Sequence, residues 1–289
     1  MPSQPTVTTV QAAPWEEVAR WGNGANGLLF NSPNGIAIDA ADHVYTTEFR
    51  GDRVRKFSSD GELLAEWGSL GSEPGQMNSP TGIAVGPDGR IYVAESGGHR
   101  VQVFSSDGML LDSWGALGNG PGEFASAMTV ALDDDMRVYV SDWGNNRVQV
   151  FDSAGRFLHQ IGAAGTGSGK MTNPTGVAIG PEGDLWVTDR GNSRIQRFGR
   201  DGTFVQLWTR AGQGLFRSPT NIAFDKDGNW WVSEFEGNRV RQFSPEGDLL
   251  SELAPGTFRG PHGLLFDGTG ALYVADTMNG VVRKFRPTT

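Results

Sequence analysis

One pattern recurs six times along the 289 residues, and it restricts what this chain can fold into more than any other feature. The start of each copy is separated from the next by 47, 47, 47, 45 and 42 residues, and a phenylalanine near the end of each copy follows the same spacing. A period of about 40–50 residues is typical of repeat architectures, in which each unit buries its apolar faces against its neighbours. The copies start at Pro33, Pro80, Ala127, Pro174, Pro219 and Pro261, and their phenylalanines are Phe57, Phe104, Phe151, Phe198, Phe243 and Phe285.

Each copy contains four short apolar runs separated by turn residues. In the second copy, the run GIAV at 82–85 is followed by the turn GPDG at 86–89 and by a second run, IYV at 91–93. Asp-Gly pairs between apolar runs favour tight β-hairpins. An acid closes the second run, and in five copies an arginine five residues later opens a third run of the RVQVF type. We therefore predict four antiparallel strands per copy and an all-β, six-bladed β-propeller, because such sheets bury both faces by stacking around an axis.

The two ends of the chain predict how the ring closes. After Phe285 only four residues remain, so the sixth copy lacks its fourth run. The segment VARWG at 18–22 matches LAEWG at 64–68, which is the fourth run of the first copy. We expect this N-terminal strand to complete the last blade, so that a single propeller spans residues 15–289 and a tail covers residues 1–14.

Composition limits the classes of partner. The net charge of −9 argues against broad electrostatic binding to nucleic acid. The absence of cysteine excludes disulfides, thiolate metal sites and cysteine nucleophiles. No apolar run is long enough to span a bilayer, and the N-terminus lacks the basic and apolar regions of a signal peptide. We expect a cytoplasmic protein whose partner is a small molecule or another protein, and neither nucleic acid nor a membrane.

Two strings carry a family resemblance. PTGIAVGPDGRIYVAESGGHRVQVFSSDG at 80–108 resembles the NHL repeat almost throughout, and PTGVAIGPEGDLWVTDRGNSRIQRF at 174–198 does so equally well. The resemblance covers residues 15–289 and implies an NHL propeller, a fold that serves enzymes, sensors and binding scaffolds. It also implies that the first strand of each blade lines the central channel. The strand starts and the loops after the repeated acids then share one face, here called the mouth face, and the Asp-Gly turns lie on the opposite turn face.

The residue after each copy's first position differs along the chain. These residues are Asn34, Thr81, Met128, Thr175, Thr220 and His262. Histidine is the one residue type in this set that ordinarily titrates near neutral pH, so His262 is the candidate general acid or base, unless it is simply bound to a neighbouring loop carbonyl. GPHGL at 260–264 resembles a zinc-binding motif of the peptidyl-hydroxyglycine amidating lyases, which share the propeller fold. The other positions do not provide the three histidines that such a catalytic zinc site needs.

A calcium site like that of propeller lactonases is a further alternative. Such a site would use oxygen ligands around the axis. The candidate ligands are Asn34, Glu48, Asn221 and Glu234. Zinc and calcium therefore both stay open as cofactors.

The residues that directly follow the repeated acids also differ between copies and predict a ligand pocket. Apolar walls with a few polar anchors are typical of small-molecule sites. The predicted walls and anchors are Phe49, Arg50, Trp143, Arg190, Phe235 and Met278, together with Asn34, Met128 and Asn221. Arg50 and Arg190 would hold an anionic group, and His262 with Glu234 or Glu48 would transfer protons.

These residues support two functional hypotheses. The first is an enzyme of lyase, hydrolase or isomerase type that acts on a small polar or anionic substrate at the mouth of the channel. The second is a non-catalytic scaffold that binds a protein or peptide, in which the repeated acids and arginines only brace the loops. An aromatic-lined cavity at the mouth favours the enzyme, and a flat, filled mouth favours the scaffold.

Overall fold

The computed structural model describes residues 15–22, 29–209 and 216–288, and these form six four-stranded antiparallel sheets. The predicted six-bladed β-propeller is confirmed, and the described residues contain no α-helix, only two short 3-10 turns at Arg190–Asn192 and Thr277–Asn279. No helix in these ranges is long and apolar enough to cross a membrane.

The blades are numbered in chain order. The first contains β2 (Pro33–Ile38), β3 (Val44–Glu48), β4 (Arg53–Phe57) and β5 (Leu63–Trp67). The second contains β6 (Pro80–Val85), β7 (Ile91–Glu95), β8 (Arg100–Phe104) and β9 (Leu110–Trp114). The third contains β10 (Ala127–Leu132), β11 (Val138–Asp142), β12 (Arg147–Phe151) and β13 (Phe157–Ile161). The fourth contains β14 (Pro174–Ile179), β15 (Leu185–Asp189), β16 (Arg194–Phe198) and β17 (Phe204–Trp208). The fifth contains β18 (Pro219–Phe224), β19 (Trp230–Glu234), β20 (Arg239–Phe243) and β21 (Leu249–Leu253). The sixth contains β22 (Pro261–Phe266), β23 (Leu272–Asp276), β24 (Val281–Pro287) and β1 (Trp15–Gly22).

The N-terminal strand closes the ring, as the sequence predicts. β1 pairs antiparallel with β24, and Glu17 accepts hydrogen bonds from Arg283 on that strand. Trp21 stacks on Tyr273 with 5.6 Å between ring centroids, and its indole N–H donates to the carbonyl of Asp60 in the first blade. Strand β1 therefore joins the last blade to the first. The predicted tail at residues 1–14 lies outside the described residues, so the domain boundary after residue 14 stays a prediction.

The core lies between the blades. Each of six buried apolar clusters combines side chains of two neighbouring blades, and together they surround the whole axis. Close approach of the first strands requires glycine at Gly35, where a Cβ would lie 2.5 Å from the carbonyl oxygen of Thr81 in the next blade. The hydroxyl of Thr47 donates to that same carbonyl at 2.6 Å. Equivalent bonds run from Ser141 to Thr175, from Thr188 to Thr220 and from Ser233 to His262.

The repeated acids brace the loops of the mouth face. Glu95 is fully buried, receives a hydrogen bond from Arg100 at 2.9 Å and accepts another from the backbone N–H of Asn78 at 2.8 Å. The same clamp joins Glu48 to Arg53, Asp142 to Arg147, Asp189 to Arg194 and Glu234 to Arg239. In the sixth blade, Arg283 approaches Asp276 in place of the missing arginine at position 281. This geometry matches the bracing interpretation of the acid and arginine pairs.

Candidate functional site

A cavity of about 580 Å³ opens on the mouth face, and all six blades contribute to its lining. Three aromatic rings form part of the wall, from Phe30, Phe49 and Phe235. The cavity also brings together eight residues that the sequence predicts as site residues. These are Asn34, Phe49, Arg50, Met128, Arg190, Phe235, His262 and Met278.

His262 lies in the cavity wall as the second residue of β22, with 6% of its surface exposed. Its backbone carbonyl accepts a hydrogen bond from Ser233, and the ring of Phe235 packs edge-on against the imidazole. Among the described residues, none forms a hydrogen bond with the imidazole nitrogens. Burial, and after it the positive charge of Arg190, lowers the pKa of His262 to about 3. The imidazole is therefore neutral near pH 7 and a weaker base than an exposed histidine, and a negative charge held beside Arg190 would strengthen it.

Arg190 lies in the 3-10 turn that follows β15 and lines the same cavity. Its guanidinium carbon is 5.5 Å from the centroid of Phe235, a cation–π contact. Within the described ranges its side chain forms no hydrogen bond or ion pair. Burial lowers the pKa of this guanidinium, and the charge of Glu236 opposes the shift. The arginine stays charged, and its donors are available to a ligand in the cavity.

Two predicted ligand-binding residues lie elsewhere. Trp143 is 39% exposed and does not belong to the lining of the mouth cavity. Asn221 lines a separate cavity of about 530 Å³ at the other end of the channel, among the aliphatic side chains of the first strands. Its side-chain oxygen accepts a hydrogen bond from the backbone N–H of Ile222.

The two acids proposed as proton carriers are buried behind the lining. Glu48 accepts hydrogen bonds from the backbone N–H of Asn31 at 2.7 Å and from Arg53, and it also pairs with Arg55. Glu234 is held in the same way, by the backbone N–H of Arg217 and by Arg239 and Arg241. Direct proton transfer by these acids stays a prediction, and their surroundings favour the bracing role.

Several lining residues are not among the site residues that the sequence predicts. They are Phe30, Asn31, Ser32, Thr81, Thr277, Asn279 and Gly280. Most of them belong to the sixth and first blades. One signal marks this region: the third strands of the first, fifth and sixth blades carry an arginine where the other three blades carry glutamine. The arginines are Arg55, Arg241 and Arg283, and the glutamines are Gln102, Gln149 and Gln196.

The predicted metal ligands do not assemble. Within the described ranges, no three histidine, aspartate or glutamate side chains come together as a metal-binding group. Of the proposed calcium set, Glu48 and Glu234 are bonded to arginines, and Asn221 lies in the other cavity. The described residues therefore provide no group of three histidine or acid side chains for zinc, and the proposed calcium ligands do not lie together.

Comparisons with known proteins agree with the fold. A model of the virginiamycin B lyase family matches residues 31–284. Comparison with curated proteins gave no match. A catalytically inactive histidine-to-alanine variant of virginiamycin B lyase from Staphylococcus aureus, solved with quinupristin, is 19% identical, with a TM-score of 0.67 over 88% of this chain and 80% of that chain.

Two more solved structures have the same architecture. A streptogramin B lyase is 16% identical, with a TM-score of 0.67 over 90% of this chain and 94% of its own. A gluconolactonase from Xanthomonas campestris is 18% identical, with a TM-score of 0.70 over 89% of this chain and 86% of its own. At these identities the likeness of the structures shows the fold alone.

Proposed function

Because the chain belongs to the virginiamycin B lyase family, we propose that it is a lyase that acts on a small polar or anionic molecule in the mouth cavity. One observation carries the proposal: a neutral histidine and an arginine without a bonded partner among the described residues line the same aromatic-walled cavity. His262 is the proton acceptor, and Arg190 holds the substrate. The NHL relationship inferred from the repeats stays a proposal, because the family that the comparison names is a different one.

The histidine supports proton transfer as the chemical step. A positioned general base contributes about 10²- to 10⁴-fold to a rate. The Staphylococcus aureus relative is catalytically inactive when one of its histidines is replaced by alanine. The present chain has four histidines, and only His262 lines the mouth cavity. The others are His43, His99 and His159.

The arginine supports the same step by stabilising the substrate. When a base removes a proton from a substrate, negative charge develops on the substrate, and a cation held nearby lowers the energy of that state. Arg190 is suited to this role because its guanidinium lies in the cavity and is held by Phe235 rather than by an acid. The exposed Arg50 on the opposite part of the lining provides a second positive charge.

The scaffold alternative predicts a filled mouth. The observed cavity of about 580 Å³ falls within the usual range of small-molecule sites, about 300–1,000 Å³, and this favours the enzyme. Hydrolase and isomerase chemistry would use the same base and stay as alternatives within the enzyme hypothesis. A protein or peptide partner and a cytoplasmic location stay predictions from the sequence.

A substrate assay with mass detection tests the proposal. The purified protein is incubated with quinupristin and, separately, with gluconolactone, and the products are weighed by mass spectrometry. Elimination conserves the summed mass of the substrate and creates a carbon–carbon double bond, isomerisation conserves the mass without this bond, and hydrolysis adds one water. We expect a product of conserved mass that separates from the substrate by chromatography and carries a new carbon–carbon double bond. A product that has gained water would move the assignment to a hydrolase, and no turnover of these or related cyclic substrates would favour the scaffold.

A further inference from the structure

Asn34 and His262 are two nearly buried polar side chains in the wall of the mouth cavity, 7% and 6% exposed. In the parts of the chain that the structure describes, neither side chain has a hydrogen-bond partner. Their polar atoms are nevertheless not sealed within the core, as the unpaired indole nitrogen of Trp186 is. Buried polar groups are as a rule hydrogen-bonded, so this pair indicates that a molecule in the cavity supplies the partners.

Comparison with the other blades shows that these two free side chains are exceptional. Asn34 and His262 occupy the second position of β2 and β22, and three other blades have threonine at that position. The threonine hydroxyls donate to backbone carbonyls and so belong to the framework of the ring. They are Thr81, Thr175 and Thr220. The first and sixth blades therefore present polar groups to the cavity where three other blades use them internally.

The two side chains are close to each other because their strands are in contact. A Cβ at Gly263, the residue after His262, would lie 2.4 Å from the carbonyl oxygen of Asn34. The carboxamide of Asn34 can both donate and accept a hydrogen bond. A ligand that contacts the imidazole can therefore place a hydroxyl or carbonyl oxygen on Asn34.

The charged groups around the imidazole favour an anion. Arg190 is close enough for its charge to act on His262, and the exposed Arg50 lines the same cavity. The neighbouring strands β2 and β18 contain no acid or cation, and Glu236 beside Arg190 is exposed. A single half-buried guanidinium matches one negative charge, as on a carboxylate, better than two. The acids that end the adjoining strands are each bound to an arginine; they are Glu48, Glu234 and Asp276.

We propose that the mouth cavity takes a carboxylic acid that carries a neighbouring hydroxyl or carbonyl oxygen and an apolar group. Arg190 binds the carboxylate, Asn34 binds the second oxygen, and His262 lies beside both. The apolar group packs against Phe49 and Met278, which line the same cavity. That this acid is a substrate rests on the proposed lyase function, whereas its binding does not.

This binding mode links the charge of the ligand to the strength of the base. The positive charge of Arg190 contributes to the low pKa of His262, after burial. A carboxylate bound to Arg190 offsets that charge and favours the protonated imidazole, so it raises the pKa of His262. A substrate of this class therefore strengthens the base that acts on it, and a neutral analogue does not.

Nuclear magnetic resonance of the imidazole C–H groups tests the proposal, with mandelate as the probe. Mandelate combines a carboxylate, a hydroxyl and a phenyl ring. The His262 signals are assigned by their absence from a His262→Gln variant. We expect mandelate to shift them saturably at pH 7, with a Kd of about 1–10 mM, the range that a ligand of this size reaches. In saturating mandelate, His262 should titrate at a higher pH than in the presence of mandelamide.

Two analogues separate the contacts of the probe. Mandelamide lacks the negative charge and should bind at least about 10-fold more weakly than mandelate. Phenylacetate lacks the hydroxyl and should bind about 2- to 10-fold more weakly. Phenyl phosphate carries a larger charge and should bind no more tightly than mandelate.

A variant of Arg190 tests the contact with the carboxylate. Arg190→Gln should lower the affinity for mandelate at least about 10-fold and leave that for mandelamide unchanged. Arg90→Gln, on the turn face, is the control and should leave both affinities unchanged.

A variant of Asn34 tests the contact with the second oxygen. Asn34→Thr installs the residue of three other blades at this position, so the fold has a precedent for it. It should lower the affinity for mandelate about 2- to 10-fold and leave that for phenylacetate unchanged. Asn229→Thr is the control, because Asn229 is bonded to Asp225 on the turn face.

Four results would overturn the proposal. They are the absence of a saturable shift with mandelate, equal affinity for mandelamide, tighter binding of phenyl phosphate, and unchanged affinity for mandelate in folded Arg190→Gln or Asn34→Thr. These measurements need no turnover. Failure of the mass assay would remove the lyase assignment and leave the carboxylate site, whereas failure of mandelate to bind would remove the carboxylate site alone.

Discussion

Arg190 and His262 lie in the wall of one cavity, where burial of the imidazole and then the charge of Arg190 lower the pKa of His262 to about 3. Phe235 contacts both side chains, so a single aromatic ring holds the cation and packs against the base. The three residues come from the fourth, fifth and sixth blades. The packing of three consecutive blades around the axis therefore brings them together.

Replacing Arg190 tests its role in holding the substrate. Hydrogen bonds to a charged group contribute about 1.5–3 kcal/mol, so we expect Arg190→Gln to raise the KM about 10- to 100-fold. Steady-state kinetics on the substrate found in the mass assay measure this change. Arg90→Gln is the control, because Arg90 pairs with Asp88 on the turn face. A KM unchanged by Arg190→Gln would remove this arginine from the binding site.

The buried histidine also predicts a pH dependence of stability. In the folded chain the pKa of His262 is lowered to about 3, whereas an unfolded histidine titrates near its ordinary value of 6.5. The unfolded state thus binds more protons between these values, and the stability from this group is present above pH 6.5 and is lost as the pH falls toward 3.

A variant without the imidazole isolates this contribution. We expect the free energy of unfolding of the wild type, relative to His262→Gln, to be larger at about pH 7 than at about pH 4.5. Urea unfolding of both proteins at the two pH values measures it, and the carboxylates common to both cancel in the comparison. If the free energies of unfolding of the wild type and His262→Gln differ by the same amount at both pH values, His262 is not buried in its neutral form.

The closing strand predicts a large loss of stability when its anchor is removed. Trp21 is 3% exposed, stacks on Tyr273 and donates to the first blade. Truncation of a buried tryptophan costs about 3–5 kcal/mol, and we expect Trp21→Ala to lower the free energy of unfolding by this amount. Arg20→Ala on the same strand is exposed and serves as the control. A loss no larger than that of the control would show that β1 does not close the ring.

The acid clamps predict a similar loss within a blade. Glu95 is fully buried between Arg100 and the backbone of Asn78, and Glu95→Gln leaves the charge of Arg100 uncompensated. Breaking a buried pair costs about 3–5 kcal/mol. Urea unfolding compares this variant with Glu62→Gln at an exposed position. Equal stability of the two variants would contradict the bracing role.

The fold was predictable because its signals are local and repeated. The Asp-Gly turns, the apolar runs and the match between residues 18–22 and 64–68 each specify a strand or its partner without reference to the rest of the chain. In the sixth blade, position 281 lacks the repeated arginine, and Arg283 pairs with Asp276 instead. This pairing was not predictable from the sequence, because it depends on contacts of Arg283 with Asp276 and Glu17 across strands.

The site was predictable in part for a geometric reason. Residues such as Asn34 and His262 share one position at the start of the first strand, and the repeat places that position at the mouth. Asn221 is one position further along the first strand, so it lies deeper in the channel and lines the other cavity. The exposure of Trp143 depends on a loop side-chain orientation that spacing does not encode.

The most direct measurement is the turnover of His262→Ala against that of His43→Ala, with kcat/KM determined for the substrate identified by mass. His43 is bonded to Asp39 on the turn face, so its removal leaves the mouth cavity untouched. We expect kcat/KM to fall about 10²- to 10⁴-fold in His262→Ala, with an unchanged circular dichroism spectrum, and to stay near the wild-type value in His43→Ala. Wild-type turnover by a folded His262→Ala protein would contradict the assignment of this histidine as the base.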